Sequence, residues 1–180
     1  MNANKKLENQ GEKEISKNNG KEEIRKRGKR MVKLLQGSIG TNLGKLPVPP
    51  LTKWLNGIIL DAKRGEVKIK FKVREEMSNP TSLLHGGIHS AMMDDTIGVT
   101  CTTLGYEGFL ITIDFHVDYL GKAHVGEEVV VYAKIKREGK RIVHAIANIT
   151  NAEGSVISTA NANLLKTTFT PDYNKMAKDS

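Results

Sequence analysis

The chain has 180 residues, room for one domain of about 150 residues with a tail and too few for two. Apolar residues make up 38 % and charged residues 27 %, enough for a core, yet no run approaches the ~18 apolar residues that span a membrane. The net charge of +8 is concentrated at one end: residues 1–36 hold 11 Lys/Arg against 5 Asp/Glu, and the remaining 17 against 15 argue against an extensive nucleic-acid surface on the globular part.

Residues 1–20 carry only Leu7 and Ile15 as large aliphatic groups within Lys, Glu, Asn and Gly, too few to offset the entropy of ordering, and are expected to be disordered. Residues 21–36 place Ile24, Met31, Val32, Leu34 and Leu35 among basic residues, which predicts a short basic amphipathic helix, weakened by Gly28. Two readings fit it: a solvated solubility tail, or an arm that rests on the domain, a membrane surface or nucleic acid. The tail is taken to run to residue 45. The acids Glu8, Glu12, Glu14, Glu22 and Glu23 argue against a transit peptide, and no apolar stretch marks a signal peptide. The single Cys101 allows no intrachain disulfide, so a reducing cytoplasm is expected.

Pro47, Pro49 and Pro50 predict an extended linker, with Trp54 and Leu55 the first residues to enter the core of a domain spanning 46–168. A strand is expected over 58–63, a tight turn at Arg64-Gly65, and a second strand over 66–73, where Val67, Ile69, Phe71 and Val73 alternate with Lys68, Lys70 and Lys72. Residues 86–103 read as a helix whose apolar positions Ile88, Ala91, Met92, Met93, Ile97 and Val99 wrap most of its circumference, predicting burial on nearly all sides. Over 109–120, Ile111, Ile113, Phe115, Val117 and Tyr119 alternate with Thr112, Asp114, His116 and Asp118. Three more strands follow at about 127–137, 140–150 and 155–166, joined by short turns and therefore antiparallel neighbours. Residues 169–180 are a C-terminal tail. The fold class is α+β: about six antiparallel strands around one long helix.

The densest chemical cluster is Asn79-Pro80-Thr81-Ser82-Leu83-Leu84-His85-Gly86-Gly87, with Asp94 and Asp95 further along the helix. Two glycines at a helix start allow close backbone approach, and the free amides with the helix dipole favour a developing negative charge. An oxyanion hole can be built that way from main chain alone. A carboxylate two turns along a buried helix is costly to keep ionised; it is either functional or a structural group capping a loop or pairing across an interface. Periodicity does not choose between Asp94 and Asp95.

Asn79, the His85-Gly86-Gly87 triplet six residues later, Asp94 nine residues beyond His85 and the strand Leu110-Ile111-Thr112-Ile113-Asp114-Phe115 together resemble the hotdog-fold acyl-CoA thioesterases of the phenylacetic-acid-pathway type, over residues 47–168. The resemblance implies a hotdog fold, with Asp94 as general base or nucleophile and Gly86 supplying the oxyanion-hole amide. It further implies that His85 and Asn79 orient the thioester and the water, and that Thr112 helps hold that water. It places the site at the interface of a homodimer or homotetramer, with Asn79, His85 and Gly86 of one subunit facing Asp94 and Thr112 of the other. Coenzyme A enters as part of the substrate; no metal and no separate cofactor is implied, and Asp95 receives no role.

Other residues are open to plainer interpretations. His85 and His89 have the i, i+4 spacing of metal ligands, but the glycines put His85 before the helix, so His89 is expected to pack. Cys101 reads as a buried thiol, and His116, His124 and His144 as surface groups. Lys134, Lys136, Arg137, Lys140 and Arg141 gather on one hairpin, either to meet coenzyme A phosphates or an acidic carrier, or to guard an edge by charge. Two rival functions remain: a non-catalytic acyl-CoA-binding regulator acting through the basic arm, and a hotdog dehydratase or hydratase. Against the first stands the absence of a helix-turn-helix pattern in the tail, and against the second the Gly-Gly with Asp94.

Overall fold

The computed structural model describes residues 3–170, with side chains described from residue 19 onward. The tail expected over 169–180 therefore lies almost wholly outside the described residues. Six strands, β1 (Ile58–Lys63), β2 (Glu66–Lys72), β3 (Leu110–Tyr119), β4 (Glu128–Glu138), β5 (Ile142–Thr150) and β6 (Val156–Lys166), form one antiparallel sheet. Their spatial order is β1-β2-β4-β5-β6-β3. The long helix α3 (Gly86–Thr102) lies against one face of this sheet, which is the hotdog architecture the sequence predicts.

Alternation decides which side of each strand is dry. In β2 and just beyond it, Val67, Ile69, Phe71 and Val73 are buried, as are Val129, Val131 and Ala133 of β4 and Val143, Ala145, Ala147 and Ile149 of β5. Each large aliphatic or aromatic side chain of that set stabilises the fold by roughly 1.5–3 kcal/mol. Against them α3 sets His89, Met92, Met93, Thr96, Ile97, Thr100 and Cys101, the i, i+3, i+4, i+7 stripe of a helix covered on one side. The expected burial on nearly all sides is thus corrected: Ile88, Ala91, Asp94, Asp95 and Val99 stay half-buried, because a single sheet has only one face to offer.

β3 departs from strict alternation. Thr112 pairs with Leu164 and Asp114 with Asn163, so Ile113 is an extra residue, a β-bulge. Before the bulge Thr112 shares the helix side with buried Leu164, and after it Phe115, paired with Ala162, does the same. Ile111 and Ile113, expected on the face of Phe115, are instead 44 % and 55 % exposed.

In place of the expected disordered segment, a helix α1 runs over Ala3–Gly37 and contains the basic helix predicted at 21–36. Propagating an existing helix adds one hydrogen bond per residue fixed, a far smaller cost than nucleating one, and Lys and Glu are good helix formers. Its C-terminal half packs on the domain. Gly28 and Gly105 meet so closely that a Cβ on Gly105 would stand 2.1 Å from the Ile24 carbonyl oxygen, and one on Gly28 2.7 Å from that of Thr103. Arg27 Nε donates to the Gly105 carbonyl at 2.9 Å, Gln36 Nε2 to that of Ala62 at 2.9 Å, and Leu35 is buried. Gly28, expected to weaken the helix, is what allows it to dock.

The proline segment is not wholly an extended linker either. Leu43 is already buried, and Pro50–Leu55 forms a short helix α2, whose fixed proline φ suits a first turn. Leu55 enters the core as expected, but Trp54 does not: it is 41 % exposed, with the Arg74 guanidinium 5.1 Å over its ring. The segment between α1 and α2 runs along β1, where Gly40 N donates to the Ile59 carbonyl and Asn42 bridges Ile58. One sheet edge is thereby covered, and β3 is left as the other. Among the described residues, no helix is long and apolar enough to cross a membrane.

Candidate active site

An α-helix leaves its first four amides without intrahelical partners. In α3 the N-cap is His85, in extended conformation, and its Nδ1 accepts from Gly87 N at 2.9 Å. Ile88 N and His89 N both turn back to the His85 carbonyl, at 2.8 and 3.1 Å. The Gly86 N–H is the one left with no partner among the described residues, at the positive end of the helix dipole. With Nδ1 accepting, a neutral His85 carries its proton on Nε2 and presents a donor outward. Over Gly86 lies Tyr119, whose hydroxyl donates to the Gly86 carbonyl at 3.1 Å and meets Ser90 Oγ at 3.0 Å.

The loop before the helix is fastened by Asn79. Its Oδ1 accepts from Thr81 N at 2.9 Å, Thr81 Oγ1 at 2.7 Å and Leu83 N at 3.1 Å, which leaves the amide NH2 as the group it can offer. Main-chain bonds from Leu84 N to the Ala123 carbonyl and from His85 N to that of Met77 hold the remainder. Asn79, His85 and Gly86 thus belong to one fastened loop and the helix start it leads into.

Two turns along α3, Thr112 Oγ1 donates to Asp94 Oδ1 at 2.9 Å, so the bulge of β3 and the helix together make a second cluster. Asp95 points elsewhere: its Oδ1 accepts from Thr52 Oγ1 of α2 at 2.5 Å, and its Oδ2 is buried without a partner. Burial, reinforced by the neighbouring Asp94 charge and opposed by the Thr52 bond, pushes the Asp95 carboxyl up to about 6. The Cys101 thiol is buried as expected, and burial pushes it up to about 12, which leaves it protonated and inert.

The arrangement couples a free amide with a donor imidazole at one place and a hydroxyl-bound carboxylate at another. That is the equipment for stabilising an oxyanion and activating water. A model of the family described as the thioesterase superfamily matches residues 82–158. Human acyl-coenzyme A thioesterase 13 is 31 % identical over 103 residues, covering 56 % of this chain and 72 % of the relative. The chain belongs to the thioesterase superfamily. As a member it is a thioester hydrolase. Among solved structures, the PaaI protein of the E. coli phenylacetic acid degradation operon is similar with a TM-score of 0.61 at 18 % identity, over 64 % of this chain and 87 % of its own. A thioesterase protein from Streptococcus pneumoniae TIGR4, determined with coenzyme A, gives 0.60 at 21 %, over 64 % and 92 %.

The other tempting residues fall where plain packing puts them. His89 is buried while His85 is exposed, so the i, i+4 pair does not converge, and no group of metal-ligating side chains forms among the described residues. His116 is exposed and pairs with Asp118, His124 is exposed, and His144 is half-buried with Nδ1 3.0 Å from Asn163 Oδ1. In the basic hairpin, Lys134 is held by Glu66 at 3.0 Å. Three contacts carry no sequence signal: Tyr119 on Gly86, Thr52 on Asp95 and Ser158 on His89. Each joins residues more than 25 positions apart, beyond the reach of any periodic pattern.

Proposed function

We propose that this thioesterase hydrolyses an acyl-CoA or aryl-acyl-CoA thioester, water and thioester giving the free acid and coenzyme A. The observation that carries the proposal is the Thr112 to Asp94 hydrogen bond on the same helix whose first amide, that of Gly86, is unused. In this reading Asp94 acts as general base on water or as nucleophile on the carbonyl carbon, and Thr112 holds the water. The Gly86 N–H receives the charge that develops on the carbonyl oxygen, while His85 Nε2–H and the Asn79 amide orient the thioester. The thiolate is a good leaving group and needs little help, so the reaction calls for no metal and no cofactor beyond the coenzyme A of the substrate itself. The acyl-CoA substrate accords with the activity in the human relative's name and with coenzyme A in the Streptococcus pneumoniae structure.

Gly86 and Asp94 stand eight residues apart, about 12 Å along the helix axis at ~1.5 Å per residue. One thioester carbonyl cannot touch both within a chain. We therefore assign the working site to two chains, Asn79, His85 and Gly86 from one and Asp94 and Thr112 from its partner, in a homodimer or a pair of such dimers. The uncovered edge of β3, with exposed Ile111 and Ile113 beside Thr112, suits a second copy. A cytoplasmic location accords with the single buried Cys101.

The test is free-thiol release from a panel of acyl-CoA thioesters, phenylacetyl to palmitoyl, by wild type and Asp94→Ala, corrected for the Cys101 background. At least one thioester should be cleaved, with turnover lowered ~10²-fold or more in Asp94→Ala. Cleavage of none, or an Asp94→Ala protein as fast as wild type, rejects the proposal.

A further inference from the structure

The side chain of Tyr119, the last residue of β3, is 55 % exposed and still lies fastened across the first turn of α3. Its ring rests on Gly86, where a Cβ would stand 3.3 Å from the ring's Cζ, and meets His89 edge-on with centroids 5.7 Å apart. Its hydroxyl donates to the Gly86 carbonyl at 3.1 Å and lies 3.0 Å from Ser90 Oγ, which itself reaches that carbonyl at 3.3 Å. Gly86, His89 and Ser90 stand at i, i+3 and i+4 on one face of the helix, so a single phenol spans the turn. A ring this exposed gains little from burial. Nor does the carbonyl need the bond for its own sake, since in an α-helix it accepts from the amide four residues on.

The Gly86 carbonyl belongs to the peptide whose other end is the Gly87 N–H, and that N–H donates to His85 Nδ1 at 2.9 Å. A continuous chain of hydrogen bonds therefore runs from the Tyr119 hydroxyl, across the Gly86-Gly87 peptide, into the His85 ring. Resting on the roles given above to His85 and Gly86, we propose that Tyr119 is a positioning residue for the thioester site, which sets the His85 imidazole through this one peptide. Neither glycine has a side chain to limit its backbone, so beyond the helix's own bond the plane of the peptide between them is set by what binds its two ends. Tyr119 holds the oxygen and His85 the nitrogen. Peptide resonance couples those ends: a donor on the oxygen draws electron density from the nitrogen and makes the N–H a stronger donor. The stronger that N–H, the more firmly Nδ1 is kept as the acceptor and the imidazole proton on Nε2, the atom assigned to the thioester. An imidazole that turns, or exchanges its tautomer, withdraws that donor from the transition state and leaves most substrate contacts in place, so the loss falls on kcat rather than on KM.

The test is Tyr119→Phe, which keeps the ring against Gly86 and His89 and removes only the hydroxyl. One exposed hydroxyl carries little of the fold, so the amides of β4 and β5 should exchange with solvent as in wild type. On the acyl-CoA cleaved best, kcat should fall ~3-fold or more with KM within about twofold, and the Gly87 amide should exchange ~3-fold faster or more. A smaller fall in kcat, a loss carried by KM, or a smaller change at Gly87 overturns the proposal. Exchange that quickens in β4 and β5 to the same degree overturns it too, because the hydroxyl then acts on overall stability. Exchange at Gly87 also separates this proposal from the reading it rests on. Should wild type cleave no thioester, that amide decides alone: exchange ~3-fold faster or more in Tyr119→Phe supports the hold on His85, and any smaller change rejects it.

Discussion

The hydroxyl of Thr112 reaches Asp94 Oδ1 at 2.9 Å because β3 carries one residue too many, Ile113, which turns Thr112 onto the helix side of the sheet. In the proposed reaction the Thr112 hydroxyl orients one oxygen of Asp94 and leaves the other for water or substrate. Thr112→Val keeps the β-branched shape and removes the donor, so kcat for thioester hydrolysis should fall about 10-fold, while Thr112→Ser stays within about threefold. Steady-state kinetics of the two variants check this. Equal rates in Val and wild type would detach Thr112 from the chemistry.

The same bulge marks where sequence reading ends. Strict alternation over 109–120 places Thr112 opposite Phe115, and nothing local announces the extra residue, because a bulge is set by how β3 and β6 meet. The bounds of strands and helix were otherwise legible to within two or three residues, and Val67, Ile69, Phe71 and Val73 in period two report which strand face is dry, whereas the dry face of the helix was not legible because apolar residues wrap most of its circumference. Trp54 misled for a related reason: its apolar body pointed to the core, but the Arg74 guanidinium covers it at the surface. Asn79, His85, Gly86, Asp94 and Thr112 were legible as candidates, and the family resemblance already divided them between two subunits; what the structure adds is the Thr112 bond to Asp94 and the capping of α3 by His85.

The proposed sharing of the site between two chains predicts complementation. Asp94→Asn and His85→Ala homodimers should each be nearly inactive. After mixing and subunit exchange, half of the dimers are hybrids, each with one intact site and one doubly altered site, so activity should recover to about a quarter of wild type. The recovery should track hybrid formation measured by native mass spectrometry. Mixed subunits that exchange yet stay inactive would return the whole site to one chain.

Asp95 sets a pH dependence of stability. Its carboxyl is pushed up to about 6 in the folded chain, mainly by burial, above the ~4 of an unfolded aspartate. The folded state therefore binds the extra proton between about pH 4 and pH 6, and stability falls as pH rises through that window. Asp95→Asn keeps an oxygen for Thr52 Oγ1 and removes the buried charge. It should stabilise the protein at pH 7 by on the order of 1–2 kcal/mol, with the advantage gone below pH 4, as read from denaturant midpoints at the two pH values. A constant difference across that range would mean that Asp95 acts by shape rather than charge.

The contact between Gly28 and Gly105 predicts how α1 can be released. Gly105 has φ +80°, so Gly105→Ala meets both backbone strain and a Cβ 2.1 Å from the Ile24 carbonyl oxygen, and neither backbone can yield while α1 stays docked. The helix should lift away while the sheet and α3 remain folded. Stability falls by roughly 2 kcal/mol, about the worth of re-exposing Leu35 and its neighbours. Trypsin should then cut at the basic run Arg25 to Arg30 at least ~10-fold faster, because nicking follows the population of the opened helix. Gly20→Ala is the control of opposite sign. It too adds a methyl group to α1, but nothing lies within 4 Å of that position, so it should strengthen the helix by about 0.5–1 kcal/mol and leave cleavage at Arg25 to Arg30 no faster. If both variants are cut at the wild-type rate, the close approach of the two glycines is not what holds α1 to the domain.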